Sequence, residues 1–274
     1  MPPAAIRHRQ PAARSPRELA ASAVGLGWLE RLGLAAVTLR LCLTHYLGIL
    51  LGRQRLDLPA FAAALRQSGL SILPAITLVT AAVGVILGRQ TAQALDSFNL
   101  PSLVLLPVSY AVVMELIPLL VGIMVAGRAG VALSVRQATL VVSGQMDGLL
   151  VSGVNPIVFS AAPVLLAMLI MSFAFAVWGS LVTLGTAGIW LLTVADVNPA
   201  DLIDALRLSL TLADLAEALS KPLLFALVIA LIATVNGSIA GRDPEGISEA
   251  ATKTMVGAVT TILLIDVLFA LWPN

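Results

Sequence analysis

Long apolar stretches separated by short polar segments dominate the chain. A membrane-spanning helix needs about 20 mostly apolar residues. Five stretches are predicted to cross a membrane on this pattern, at residues 70–87, 103–126, 157–194, 222–235 and 256–272. The chain is therefore predicted to be an all-α integral membrane protein with about five transmembrane helices, which form one membrane domain over residues 67–274.

The stretch 157–194 contains no charged residue and is the longest of the five. It fits either one long helix or a helical hairpin that turns at Gly179, Gly185 or Gly188. Since one pass needs only about 20 residues and a hairpin would need close to twice that plus a turn, we predict one long helix that emerges from the bilayer, with the hairpin as the alternative.

The N-terminal part of the chain follows a different pattern. Residues 1–27 begin with four arginines among prolines and are predicted to be a basic disordered tail, which we expect to remain unprocessed. Residues 28–66 are predicted to contain a membrane-embedded helix and a connector. Because the apolar stretch 28–51 carries Arg31 and Arg40 on opposite sides, we predict an interfacial helix whose arginines reach towards water. A sixth spanning helix is the alternative.

Charged residues in the loops predict the orientation. Residues 1–69 contain nine arginines and three acids, whereas residues 196–221 contain five acids and two basic residues. Basic loops favour the cytoplasmic side, so the first segment is predicted to be cytoplasmic and the second external. Within the external segment, residues 199–219 have the pattern of an amphipathic helix lying on the membrane surface, with Asn198 as its N-cap.

The segment 126–156 links two predicted spans on the cytoplasmic side. Residues 134–152 have apolar positions at helical spacing, with Arg136, Gln137, Gln145 and Asp147 on the polar face. A cytoplasmic amphipathic helix between spans is what a permease offers to a motor protein, so we predict a coupling helix here; the alternative is a surface helix without a partner.

Two acids lie within predicted spans. Acidic residues inside a membrane are functional candidates, and Glu115 is followed by Pro118, which frees a backbone carbonyl one turn earlier. We predict a kink and a carboxylate at one level of the membrane. Asp266 is interpreted as a polar contact within the helix bundle. The pairs Gly84 and Gly88, and Gly237 and Gly241, have the spacing that permits close helix packing.

Composition narrows the possible functions. Hydrophobic residues make up 59% of the chain and charged residues 11%, with a net charge of +1, so nothing indicates a nucleic-acid partner. One cysteine, Cys42, and two separated histidines, His8 and His45, argue against a metal centre. Neither Lys221 nor Lys253 lies in a phosphate-binding loop. We therefore expect no cofactor on this chain; if ATP drives it, the ATPase is another chain.

Several motifs, in order and spacing, resemble those of the MlaE (YrbE) family of ABC permeases over roughly residues 65–270. The matching runs are Glu115-Leu116-Ile117-Pro118, Ala126-Gly127-Arg128-Ala129-Gly130-Val131-Ala132, Gly144-Gln145-Met146-Asp147-Gly148-Leu149, Val154-Asn155-Pro156, Asn236-Gly237 and Gly246-Ile247-Ser248-Glu249-Ala250-Ala251-Thr252-Lys253.

The resemblance implies a homodimer of five-span subunits in a bacterial inner membrane, each with an N-terminal interfacial helix. It implies three further components: an ABC ATPase that uses ATP and Mg²⁺ and docks on the coupling helix, a periplasmic MCE-domain protein, and a possible STAS-domain protein. The implied cargo is phospholipid moving between inner and outer membranes, which would maintain the asymmetry of the outer membrane.

On this basis each candidate residue receives an expected role. The lipid pathway or gate is expected at Met114, Glu115 and Pro118. ATPase coupling is expected at Arg136, Gln145, Asp147 and Asn155, a cytoplasmic structural motif at Gly127, Arg128 and Gly130, and a bundle contact at Asp266.

The chain departs from the family pattern at several charged positions. Gly144 and Asn155 stand where acids are usual, and Met114, Val158 and Val164 stand where arginines are frequent. These changes leave both a homodimer and a heterodimer open. Two other functions are also considered: an ion-coupled secondary transporter with Glu115 as its proton site, and a lipid-modifying enzyme using Glu115 and Asp266.

Overall fold

A computed structural model describes residues 16–53, 57–98, 110–195, 197–209 and 212–271. Eleven α-helices make up most of these ranges. They are α1 Pro16–Leu50, α2 Leu58–Leu65, α3 Leu73–Phe98, α4 Ile117–Val125, α5 Val131–Val142, α6 Gln145–Val151, α7 Pro156–Ser160, α8 Ala162–Val194, α9 Pro199–Ser209, α10 Leu212–Ser238 and α11 Pro244–Leu271.

Among the residues that the structure describes, six helical segments are long and apolar enough to cross a membrane. They are Leu29–Leu50, Leu58–Ala94, Val112–Val142, Pro156–Val194, Ala216–Ser238 and Pro244–Leu271. The prediction of an all-α membrane protein is confirmed. The segment Leu29–Leu50, which was predicted to lie in the membrane interface, is long and apolar enough to cross the membrane. Length and composition do not distinguish the two placements, so the interfacial helix stays a prediction. Residues 103–109 of the second predicted span lie outside the described ranges.

The longest apolar stretch forms one helical segment, Pro156–Val194, in which α7 runs into α8, rather than a hairpin. α8 contains 33 residues, which corresponds to roughly 50 Å at 1.5 Å per residue, longer than a bilayer core. Gly179 and Gly188, two of the candidate turn positions, are buried inside this helix. A Cβ atom on Gly179 would lie 3.2 Å from the Thr80 side chain on α3. Gly179 therefore serves helix packing, and the prediction of one long helix is confirmed.

Two predicted helix boundaries at the N-terminal and coupling segments are wrong. α1 begins at Pro16, so the predicted disordered tail is helical from that residue onward. The predicted coupling helix 134–152 is interrupted, because Gly144 has a φ of 71° and this left-handed conformation ends the preceding helix. Its first part, α5, continues the span, and only α6 forms a separate short helix.

The predicted external helix 199–219 is also divided in two. α9 ends at Ser209, and α10 begins at Leu212 and runs on into a span. The second half of the predicted surface helix is therefore the first part of a longer membrane helix. The predicted N-cap is confirmed, since the Asn198 side-chain oxygen accepts a hydrogen bond from the Ala200 amide at 3.1 Å.

Both predicted glycine pairs contain at least one glycine that permits close helix packing. On α3, a Cβ atom at Gly84 would collide with Thr186 and the Thr183 carbonyl, and one at Gly88 would lie 2.9 Å from the Ala187 carbonyl on α8. The first predicted glycine pair therefore marks a real helix contact. The second pair does so only at Gly237, because Gly241 lies beyond the end of α10.

In the described ranges, three short π-type turns interrupt the helical runs, at Arg66–Leu70, Val112–Leu116 and Ala126–Gly130. Such turns widen a helix locally and often occur at functional sites. The turn Ala126–Gly130 contains the predicted structural motif. Within it Gly130 faces α10, where a Cβ atom would lie 2.5 Å from Ile229, whereas Arg128 is exposed. This motif therefore belongs to a continuous helical run and sets a close helix contact.

Candidate functional site

A buried lysine and a half-exposed glutamate form an ion pair between two membrane segments. The Lys221 Nζ on α10 lies 3.1 Å from an Oε atom of Glu115 in the turn Val112–Leu116. The Lys221 side chain is 2% exposed and that of Glu115 is 43% exposed. The charge of the lysine is therefore held inside the bundle, while the carboxylate faces outward from it.

The same ammonium group also contacts the backbone. Lys221 Nζ donates a hydrogen bond to the Met114 carbonyl oxygen at 3.0 Å, and it lies 5.5 Å from the centre of the Phe269 ring. A cation above an aromatic face is attracted by the ring electrons. Three groups thus stabilise the buried charge of Lys221: a carboxylate, a backbone carbonyl and an aromatic ring.

An open, largely apolar groove of about 440 Å³ lies beside this ion pair. Glu115 and Asp266 line it together with apolar residues of three helical segments, including Leu87, Leu116 and Leu119. One oxygen of Asp266, Oδ1, is buried without a hydrogen-bond partner among the described residues. The groove therefore offers apolar walls and two acidic side chains at one level of the bundle.

Glu115, Met114, Pro118 and Asp266 were predicted from the sequence as site residues, but Lys221 was missed. Lys221 was assigned to a surface loop because the apolar run was taken to begin at Pro222. The helix in fact begins at Leu212, ten residues earlier than that proline. If the helix had been predicted to include Asp214 and Glu217, Lys221 would have been placed within the membrane helix. It would then have been recognised as a candidate partner for Glu115.

The predicted coupling residues lie apart from the groove. Glu115 is near the start of the segment Val112–Val142, and α6 follows its other end, so the two sites are separated by roughly 40 Å along the helix axis. Gln145 and Asp147 are exposed on α6, and Asp147 pairs with Arg242 at 3.4 Å. The Asn155 side chain caps α7 by accepting from the Ile157 amide.

Of the polar positions predicted for the coupling helix, Gln137 is buried and not exposed. Its amide nitrogen donates to the Ser160 hydroxyl on α7 at 2.7 Å. Arg136 is half-buried on the same helix. The correction follows from helix packing, because α5 continues the span and is covered by α10 and α11 instead of facing water on one side.

A hydrogen-bonded network joins α5 to the last two helices. Thr254 on α11 donates to the Ser134 hydroxyl at 2.9 Å and accepts from the Asn236 amide group at 3.2 Å. Ser134 in turn donates to the Ala250 carbonyl at 3.1 Å. Helices α5, α10 and α11 are thus fixed to one another by polar contacts at the end of the bundle nearest α6.

Among the residues that the structure describes, no group of three or more histidine, cysteine, aspartate or glutamate side chains is arranged to hold a metal ion. The polar chemistry in this part of the chain consists of ion pairs and hydrogen bonds between helices.

The chain resembles known permeases over most of its length. Residues 61–272 match the family described as Permease MlaE. A probable ABC transporter permease protein of Rickettsia felis is 27% identical over 198 residues, which cover 72% of this chain and 76% of that protein. The intermembrane phospholipid transport system permease protein MlaE of Haemophilus influenzae is 26% identical over 230 residues, which cover 80% and 85% of the two chains. The chain therefore belongs to the MlaE permease family and is a permease subunit of an ABC transporter.

Proposed function

We propose that this subunit conducts phospholipid between the inner and outer membranes of a bacterial envelope, with the energy supplied by a separate ATPase. The observation that carries this proposal is the apolar groove beside Lys221, Glu115 and Asp266. Apolar walls suit acyl chains, and a few polar groups at one level suit a headgroup. The phospholipid transport named for the Haemophilus influenzae relative supports the same cargo.

In this proposal Glu115 and Lys221 act as a polar gate and not as catalysts. Met114 and Pro118 shape the backbone of the gate. Pro118 has no N–H to donate to the Met114 carbonyl, so this carbonyl accepts a hydrogen bond from Lys221. Asp266 provides a second acidic side chain in the lining of the groove. A headgroup entering the groove would exchange partners with these groups.

The second part of the proposal concerns the motor. The exposed helix α6, with Gln145 and Asp147, is the surface on which an ABC ATPase docks, and ATP and Mg²⁺ are bound by that partner. Arg136 and Asn155 position the ends of this surface. The other proposed partners are a second permease copy, an MCE-domain protein on the periplasmic side, a STAS-domain protein and the phospholipid itself. The proposed location is the inner membrane.

The test is reconstitution of the complete complex with its ATPase in liposomes that contain labelled phospholipid. ATP-dependent lipid transfer is expected in the wild type and a loss of at least tenfold in Lys221→Met, since the gate loses its charge. Glu249→Gln, which removes an exposed acid of a surface ion pair, is the matched control and should transfer lipid normally. Equal transfer by Lys221→Met and the control would contradict the gate.

A second measurement tests the motor surface. Asp147→Ala and Gln145→Ala should abolish co-purification of the ATPase while leaving the permease folded, because both side chains are exposed. Transport that requires a proton gradient and proceeds without any ATPase would overturn the proposal in favour of an ion-coupled transporter.

A further inference from the structure

A second cavity, of about 420 Å³, lies between α1, the start of α2 and the connection from α6 to α7. Its lining includes Thr44 and His45 of α1, Asp57 before α2, Asn155 before α7, and Val158 and Phe159 of α7. None of its lining residues belongs to the groove beside Glu115. Pockets of this size bind small molecules or lipid headgroups.

One negative charge of the cavity has no cationic partner in the described part of the chain. The Asp57 Oδ1 atom accepts a hydrogen bond from the Ala60 amide at 3.2 Å and caps α2. The three ion pairs present among the described residues do not involve Asp57. Asp57 is exposed, so its second carboxylate oxygen can pair with a positively charged group that enters the cavity.

Nitrogen donors line the same cavity. The Asn155 side-chain oxygen accepts from the amides of Ile157 and Val158, which leaves its NH₂ group as a donor. His45 adds an imidazole, one nitrogen of which is a donor in the neutral ring. The lining therefore combines one carboxylate with N–H donors, a pattern that complements a ligand carrying both a cation and an anion.

The apolar part of the lining continues onto exposed membrane surface. Phe159 and Val154, which both line the cavity, are 46% and 40% exposed. Two apolar segments also begin or end near the cavity, at Leu50 and at Pro156. Polar side chains at the end of an apolar segment are typical of the headgroup level of a bilayer.

We propose that this cavity binds the headgroup of a phospholipid that carries an ammonium group, of the phosphatidylethanolamine class. The ammonium pairs with Asp57, and the phosphodiester accepts hydrogen bonds from His45 and Asn155. The acyl chains lie against the exposed side chains of Phe159 and Val154. This site is on the same end of the bundle as α6 and does not depend on the transport function proposed for the groove.

The substitution Asp57→Asn tests the charge alone, because asparagine caps a helix as well as aspartate does. The full-length protein in detergent is titrated with phosphatidylethanolamine or phosphatidylglycerol of identical acyl chains, and bound lipid is counted by native mass spectrometry. The wild type should bind phosphatidylethanolamine more tightly. Asp57→Asn should weaken that lipid about tenfold, the effect of one charge-assisted contact, and leave phosphatidylglycerol unchanged.

Asp201→Asn, which neutralises an exposed acid on α9, is the matched control and should not alter either affinity. A filling substitution, Val158→Trp, should remove the tight phosphatidylethanolamine site in a protein whose thermal unfolding remains cooperative. Equal wild-type affinities for the two lipids, equal effects of Asp57→Asn on both, or unchanged binding in folded Val158→Trp would each overturn the proposal.

Discussion

The Lys221 ammonium donates a hydrogen bond at 3.0 Å to the Met114 carbonyl oxygen, 107 residues away along the chain. In an uninterrupted α-helix that carbonyl would accept from residue 118, but Pro118 has no N–H to offer. The lysine thus satisfies a backbone acceptor and a carboxylate together. This double role explains how a charged side chain is tolerated at 2% exposure inside an apolar bundle.

The first prediction concerns this buried charge. Glu115→Gln should lower the free energy of unfolding by about 2 kcal/mol, because it removes the carboxylate that pairs directly with the buried ammonium of Lys221. The effect is smaller than for a fully buried pair since Glu115 is 43% exposed. In the double variant with Lys221→Met, at least half of the loss should be recovered. Denaturant unfolding in one detergent measures all three proteins.

An exposed ion pair provides the control for this prediction. Glu249 and Lys253 pair on the surface of α11 with both side chains at least half exposed. Glu249→Gln should change the free energy of unfolding by less than about 0.5 kcal/mol, as is usual for exposed pairs. If Glu115→Gln is no more destabilising than Glu249→Gln, the burial argument for Lys221 is wrong.

The second prediction concerns the contact between α3 and α8. A Cβ atom at Gly84 would collide with backbone and side-chain atoms of α8, so Gly84→Ala should force the helices apart and cost about 2 kcal/mol. Gly185→Ala is the matched control, since nothing lies within 4 Å of a Cβ at that position on α8. Thermal unfolding should show a lower midpoint for Gly84→Ala only. A comparable loss in both variants would count against the packing role.

The third prediction concerns the network that joins α5, α10 and α11. Thr254→Val keeps the side-chain shape but removes the hydroxyl that bonds Ser134 and Asn236. It leaves polar groups without a partner and should destabilise the protein by about 2 kcal/mol. Thr252→Val, at an exposed position two residues earlier, should be nearly neutral. Denaturant unfolding compares the two, and equal stabilities would contradict the network.

Local sequence patterns predicted much of this fold. Hydropathy identified the spans and the single helix α8, because apolar length is a local property, and the residue type of Asn198 identified its cap. Lys221 and Gln137 were misplaced because their surroundings depend on distant partners. Lys221 contacts a glutamate 106 residues away, and Gln137 is buried by helices α10 and α11. No local sequence pattern contains those contacts, so the groove and the network could not be predicted from the sequence.

The break between α5 and α6 was missed for a different reason. Gly144 was interpreted as the loss of a charge at the coupling segment, whereas the structure gives it a φ of 71° with no atom near its Cβ position. A residue with a Cβ costs about 1 kcal/mol in this left-handed conformation. The turn at Ser143 and Gly144 therefore determines the orientation of α6 relative to α5.

The fourth prediction tests that turn. Gly144→Ala should lower the free energy of unfolding by about 1 kcal/mol and reduce ATPase stimulation in the complete complex, because strain at the turn shifts α6. Gly148→Ala on α6 is the matched control: its position is helical and no atom lies within 4 Å of its Cβ. That variant should be neutral or more stable, since alanine favours a helix over glycine by about 1 kcal/mol. Denaturant unfolding and ATP hydrolysis by the reconstituted complex measure the two effects. A Gly144→Ala variant at least as stable as Gly148→Ala would show that the left-handed turn does not constrain α6.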